Sequence, residues 1–500
     1  MELLSETYKD KISFVLSCYD RLILTGTLPE ISYSQGMTRY MYQNGIKIFD
    51  YPRFAEPFKD AIRANAERIA GEHGVEIEFI RKAGVRKESI ISEKILKRGD
   101  HPGIVHIISA MEACNTYKPW HDKKTGKTFL KPDQSKCLHY YFYFIDPQVG
   151  LGYVRVPTWC PFRLQVYING HNIIASELKQ AGIGYTMIDN AFDSLQDAGK
   201  AQELSDKISI ERLHRKLEEF AWQFCPVYKD FKLRYHWSVM QAEYATDIVF
   251  KKQQDLQQIY SDLVATAIHT VKPENIATFL GLKLDPRYKG EIGNNYNVRM
   301  EGSRIKHTMG SSSIKMYDKF SKILRIETTT NNISFFKHFR EVVHRDGSTS
   351  HEMAPLKKNI YSLSFLSENL KASNKRYLEF ISAFDNKETG RKRLEKVTSH
   401  KMNSNRNYKG FNFFNKDDLM ILTAIIRGEF NINGFRNKNL QKLLGFTGSK
   451  ISRLIKRLRV HGLIKKASNS YKYYITKIGK ETIIMAQKIK ELVLVPAYCY

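Results

Sequence analysis

The chain reads as an α+β protein: a large mixed α/β module with antiparallel strands, followed by a C-terminal winged helix-turn-helix. Three observations predict this. β-branched and aromatic runs broken by Pro and Gly recur through the middle of the chain. Amphipathic helical stretches flank them. Residues 446–474, FTGSKISRLIKRLRVHGLIKKASNSYKYY, have the order of a basic helix followed by a hairpin.

Taken in order, residues 1–95 form a mixed helical region, with a helix over 53–73 stopped by Gly74 and a strand over 75–80. Residues 96–335 form the central α+β module. Its runs at 103–114, 137–146, 151–156 and 162–168 predict strands, consecutive pairs forming antiparallel hairpins. Helices are expected over 171–182, 196–224 and 236–270, a loop over 285–297, and strands over 298–306, 313–317 and 323–329. Residues 336–384 form a helical extension, with helices over 357–370 and 372–384. The polar, basic, weakly patterned stretch 385–412 reads as a linker.

Residues 413–495 then form the winged helix. Helices are expected over 417–427 and 437–444. In the third helix Ile451, Leu454, Ile455 and Leu458 recur at helical spacing, Ser449 is the expected cap, and Gly462 the stop. Residues 463–464 and 473–475 pair around a turn at 467–470, and 477–492 closes the domain. The helix and wing that geometry would place on DNA carry Ser449, Lys450, Arg453, Lys456, Arg457, Arg459, Lys465, Lys466 and Lys472.

The charge agrees with a polyanionic partner. The net charge is +27 over 500 residues and the pI about 9.6. Residues 385–500 contain 25 Lys+Arg against 8 Asp+Glu, so 25 − 8 = +17 of that charge lies in the tail. The expected partner is DNA, with RNA as the alternative and a homodimer as one assembly. At 42% hydrophobic and 12% aromatic content the chain is not mainly disordered. No signal peptide or run of about 18 apolar residues occurs, so a cytoplasmic protein without membrane contact is expected. The six cysteines (Cys18, Cys114, Cys137, Cys160, Cys225 and Cys499) form no CxxC pair and read as reduced thiols. Cys137 and His139 lack the second ligand pair of a zinc site. Trp120, Trp159, Trp222 and Trp237 read as core residues. No Walker, GxSxG or HExxH motif is present.

Chemistry concentrates in residues 301–329, EGSRIKHTMGSSSIKMYDKFSKILRIETT. Alternation puts Lys315 and Tyr317 on one face of their strand, and Arg325 and Glu327 on one face of the next. A tight turn near 320–322 would bring Tyr317, Arg325 and Glu327 together. A tyrosine hydroxyl can attack phosphorus, carboxylates can hold Mg²⁺ or Mn²⁺, and Lys or Arg can steady a transition-state charge. The expected catalytic set is Tyr317, Asp318, Lys319, Arg325 and Glu327. Asp318 and Glu327 would hold the metal, and Arg304, Lys306 and Lys315 would bind phosphate. Tyr296 and Tyr377 are alternative nucleophiles. The plain alternative is a hairpin with cross-strand ion pairs.

The sequence Gly302-Ser303-Arg304, the run Ser313–Lys319 ending Tyr317-Asp318-Lys319, and Arg325-Ile326-Glu327 resemble plasmid and filamentous-phage rolling-circle replication initiators over about 30 residues. That resemblance implies a metal-dependent nickase forming a phosphotyrosine link on an HUH-related sheet. The His-hydrophobic-His metal motif is missing; His106 and His139 read as packed core histidines. Segments 156–171, 236–250 and 304–319 resemble a bacterial family of uncharacterised proteins with a MarR-like winged helix, a resemblance that implies no activity. A second catalytic reading follows ribonuclease-H-like transposases and nucleases. It places Asp146 at the end of a first strand, with Glu243 and Asp247 four apart on one helix face completing a two-metal site. The expected function is a mobile-element DNA-binding protein that nicks or joins DNA. A non-catalytic transcription regulator, or an RNA-binding partner, is the other class.

Overall fold

The N-terminal run ISFVLSCYDRLILTGT is rich in β-branched and large apolar residues and forms a sixteen-residue strand, β1 (Ile12–Thr27). The helix Tyr51–His73 ends on Gly74, whose left-handed φ of 62° suits glycine. β2 (Ile77–Ile80) follows. β3 (Gly103–Asp122) and β4 (Lys127–Asp146) pair along their whole length, and β5 (Gly150–Pro157) and β6 (Leu164–Ile168) continue the antiparallel run. A small hairpin, β7 (Tyr185–Ile188) and β8 (Ala191–Leu195), separates two helices. Then come β9 (His236–Phe250), β10 (Ile292–Arg299), β11 (Gly302–Met309), β12 (Ser312–Lys319) and β13 (Ile323–Thr330). The fold is mixed α/β, and the computed structural model describes residues 4–82, 84–282, 292–299, 302–382, 395–403, 405–467 and 470–489. Parts of the expected loop 285–297, linker 385–412, turn 467–470 and closing helix 477–492, and Cys499, lie outside them.

The chain partitions into two units. One comprises Met1–Ser17, Tyr244–Thr330 and Glu368–Tyr500; the other, Cys18–Glu243 and Asn331–Ser367. The divisions fall at 17/18 in the expected N-terminal region, at 243/244 and 330/331 in the expected central module, and at 367/368 in the expected helical extension.

In the Cys18–Glu243 unit the strands follow the order β1, β6, β5, β4, β3, β2, antiparallel except for β2 beside β3. The aromatic run of β4 is explained by burial on both faces. Phe142 and Phe144 pack against Phe224 and Phe220 of the helix Ile210–Phe224, at centroid distances of 4.8 and 4.6 Å. Tyr141 and Tyr143 meet Tyr153 of β5 on the other face, at 5.5 and 5.2 Å.

In the other unit the order is β10, β11, β12, β13, β9. Helices cover the face that carries His307, Asp318 and Thr328. Tyr377 hydrogen-bonds His307 at 3.1 Å, Tyr260 accepts from the Asp318 amide at 3.1 Å, and Thr328 donates to Asn374 at 2.6 Å. Phe320 and Ser321 both take φ of 57°, the left-handed pair a two-residue hairpin turn requires, and join β12 to β13.

The C-terminal elements are the helices Lys416–Ile425, Gly428–Asn433, Asn437–Leu444 and Gly448–Val460, the strands Ile464–Lys466 and Tyr473–Ile475, and the helix Lys477–Ile489. Ile421, Leu422, Leu440, Ile451, Leu454, Leu458 and Ile483 share one core. Phe435 bridges to Tyr473, adding a third backbone partner to the hairpin. Gly428 lies so close to Thr278 that an added Cβ would sit 2.2 Å from the threonine hydroxyl, which docks these helices on Pro273–Phe279. Within the expected linker, Lys401–Asn403 and Arg406–Tyr408 pair, and Val397 and Phe411 enter the same core, so this part is packed structure.

Two further expectations are corrected. The stretch 236–270 is strand β9 followed by the helix Gln253–Thr270. Met240, Gln241, Ala242 and Glu243 favour helix locally, but neighbouring strands on both sides decide the conformation. The two helices expected over 357–384 are one, Leu363–Ser382, preceded by a short 3₁₀ turn.

Candidate functional site: a polar strand face and a basic helix

Cross-strand register builds the first site. Tyr317 lies opposite Arg325 and Lys315 opposite Glu327. On the other side of β12, Arg304 lies opposite Tyr317 and Lys306 opposite Lys315. Because side chains alternate between faces, Arg304, Lys306, Lys315, Tyr317, Lys319, Arg325 and Glu327 all occupy one face. The Tyr317 hydroxyl donates to Glu327 Oε2 at 2.8 Å. Lys315 Nζ donates to Oε1 at 2.5 Å, and the Thr329 hydroxyl reaches the same oxygen at 3.2 Å. Glu327 is 2% exposed, whereas Lys315 and Tyr317 are half-buried.

The same register corrects three assignments. Asp318 pairs with Leu324 and faces away from Glu327, so these carboxylates cannot share one metal ion. Its carboxyl instead accepts from the Ser321 backbone, and burial lifts its pKa to about 6. Arg325 is 0% exposed and is clasped by Asp247, Nε to Oδ1 at 2.6 Å and Nη2 to Oδ2 at 2.7 Å. It anchors the sheet and is closed to phosphate. The alternative nucleophiles also leave this face. Tyr377 is fully buried against His307, with burial raising its pKa, and Tyr296 sits opposite Ile305.

The two-metal carboxylates are likewise committed elsewhere. Asp146 accepts the turn amides of Gln148 and Val149 at 2.8 and 3.2 Å and pairs with Lys216 at 3.1 Å. Asp247 holds Arg325. Glu243, on strand β9 and not on a helix, accepts from Gln241 at 3.1 Å. His106 and His139 are buried; His139 contacts the Cys137 carbonyl at 3.0 Å, and burial lowers its pKa to about 4.

The second site is the helix Gly448–Val460. Its cap is Thr447, whose hydroxyl accepts from the Lys450 amide at 3.4 Å, and not Ser449. Arg453, Lys456 and Arg459 are exposed, as are Ser449, Lys465 and Lys466, and Lys472 is half-buried. Lys450 is partly engaged, pairing with Asp417 at 2.6 Å. Arg457 is the departure. It is 7% exposed, and its guanidinium holds Asp418 at 2.6 and 2.8 Å and the Lys409 carbonyl at 3.0 Å. It therefore staples the helix to the Lys416–Ile425 helix and is withdrawn from any groove.

Sequence reading missed a cavity on the β1–β6–β5 face, in the Cys18–Glu243 unit, which Trp159 helps to line. Of the other tryptophans, Trp237 is core, while Trp120 and Trp222 are exposed beneath Lys131 and Lys229, at 3.6 and 4.3 Å from the ring centroids. No helix among the described residues is long and apolar enough to cross a membrane. Compared with known proteins, the chain matches no family model, no curated protein and no solved structure.

Proposed function

We propose that this chain is a DNA-binding protein that grips duplex DNA with a C-terminal winged helix and nicks or joins a strand through Tyr317. The observation that carries the reading is the 2.8 Å hydrogen bond from the Tyr317 hydroxyl to Glu327. It sits on a strand face whose neighbouring positions are Arg304, Lys306 and Lys315. A nucleophile in reach of a base, beside cations, is the arrangement phosphoryl transfer uses. In this reading Glu327 takes the phenolic proton as Tyr317 oxygen attacks phosphorus. The phosphorus–oxygen bond to the leaving strand breaks, and the phosphotyrosine ester retains the linkage for rejoining. Lys315, Arg304 and Lys306 steady the phosphate, with Lys319 at the edge. Asp318 and Glu327 do not fit a common Mg²⁺ or Mn²⁺ ion, and no step is assigned to a metal.

For the winged helix, the support is the succession of helices, a basic helix with three outward cations, and a hairpin bearing Lys465 and Lys466. Binding through about five such cations gives a slope of log K against log salt of roughly −4 to −5. RNA and a homodimer stay within this reading as partners to be assayed.

The test is incubation with labelled single-stranded and supercoiled DNA, with Mg²⁺, Mn²⁺ or chelator, resolved on denaturing gels. A covalent adduct lost in Tyr317→Phe is expected. Intact DNA under every condition, with salt-sensitive binding retained, would establish the second reading, a binding-only regulator. The near-complete burial of Glu327 favours that one.

A further inference from the structure

Thr25 of β1 is 2% exposed, and its hydroxyl has no hydrogen-bond partner. Buried hydroxyls are satisfied in most folds, because leaving one bare forfeits its bonds to water. Thr25 lines a cavity of about 470 Å³, a size that suits a small ligand. The cavity floor is a single row across three strands. Thr25 lies opposite Gln165, and Gln165 opposite Arg155. Both neighbours are fixed in place: Gln165 donates to the Tyr153 hydroxyl at 3.2 Å, and Arg155 is held by Glu112 at 3.0 and 2.8 Å.

The walls add a different chemistry. Trp159 supplies a half-buried aromatic surface, and Asn115 and Gln134 bring exposed amides. Arg155 shares the Glu112 carboxylate with Lys87, so the floor keeps a net positive charge, and the exposed Arg163 adds a cation at the rim. His139 is uncharged at neutral pH. Amides and a hydroxyl match the hydrogen-bonding edge of a heterocycle, an indole matches its flat face, and an exposed guanidinium at the rim matches a phosphate.

We propose that this cavity seats one unpaired nucleotide, its base edge bonded by Thr25 and the amides, its ring against Trp159 and its phosphate at Arg163. The proposal rests on the reading of this chain as a DNA-processing protein and gives it a second contact, specific for a strand already opened. A free nucleoside monophosphate presents the same chemistry, so the experiment separates the two sources.

The full chain is titrated calorimetrically with the four nucleoside monophosphates, with single-stranded pentanucleotides and with a duplex of the same sequence. Pentanucleotide binding is expected, weakened about tenfold in Thr25→Val, which removes one hydrogen bond while keeping the shape. Because the hydroxyl is unpartnered in the fold, Thr25→Val should melt no lower than the parent. Arg163→Ala, at an exposed position, should weaken the pentanucleotide comparably. Monophosphates binding as tightly as the pentanucleotide would support the seat and make its ligand the free nucleotide. No binding of either, or affinities within about twofold of the parent in both variants, would overturn the proposal. Tyr317→Phe separates the two readings: it should abolish any covalent adduct while leaving pentanucleotide affinity intact, and loss of both would overturn an independent seat.

Discussion

Truncating Arg457 should unfold the C-terminal helices, whereas truncating Arg453, one turn away on the same helix, should leave them intact. Arg457 and Asp418 keep 8% and 5% of their side chains exposed. The guanidinium makes two bonds to the carboxylate and also reaches the Lys409 and Gly410 carbonyls at 3.0 and 2.5 Å. It lies 3.9 Å over the Phe411 ring. Arg457→Ala strands a buried carboxylate and two carbonyls, a loss of about 3–5 kcal/mol for a broken buried pair. Arg453→Ala touches none of this and should stay within about 0.5 kcal/mol of the parent. Burial alone would raise the Asp418 pKa, but the Arg457 bonds, the Asn412 amide and nearby charge bring it below its usual value. The pair's contribution is therefore complete above the unfolded pKa and fades as pH falls through the lower folded one. Denaturant melts of both single variants at neutral pH, with Arg457→Met/Asp418→Leu as a third, provide the assay. The double variant should recover most of the loss, since an apolar pair leaves no bare charge. Equal stability of Arg457→Ala and Arg453→Ala, or a double variant no more stable than Arg457→Ala, would refute the staple.

Two pH predictions follow from other carboxyls. Burial raises Asp318 to about 6 in the folded chain, so the protonated form is favoured by folding. That contribution is complete below the unfolded value and is lost as pH rises through about 6. Asp318→Asn should accordingly raise the melting temperature at pH of about 7.5 and leave it unchanged near pH of about 3; a lower value at 7.5 would reject the assignment. Glu112 behaves oppositely. Burial would raise it, but hydrogen bonds from Lys87 and Tyr141 and the charge of Arg155 bring it to about 2. Its contribution holds above the unfolded value and disappears as pH falls through about 2, so Glu112→Gln should lower the melting temperature at neutral pH and converge with the parent in acid. Parallel melting curves across that range would contradict it.

The hairpin of β12 and β13 was legible because three local signals agree: alternation, a two-residue turn, and complementary charges in register. The same parity separates Asp318 from Glu327, since 318 is even where 317, 325 and 327 are odd, and it could have excluded their shared metal in advance. Arg457 is three residues from Leu454, on the apolar side of its helix, yet it resembles its basic neighbours until Asp418 is found opposite. β9 was illegible for a different reason. Its central residues favour helix locally, and flanking strands far away in sequence override that preference. The Thr25 cavity left no motif, because its floor comes from β1, β5 and β6, brought into register only by folding.

The partition of the chain sets a condition on dissecting it. Unit boundaries fall at 17/18, 243/244, 330/331 and 367/368, and two of them cut through the middle of β1 and β9. No single truncation therefore frees either unit as one uninterrupted polypeptide, and a fragment ending at 243 would lose half of a strand. Excising residues 18–243 as one piece would cut both β1 and β9. The strand face around Tyr317 and the basic helix belong to the same unit, although more than a hundred residues separate them along the chain.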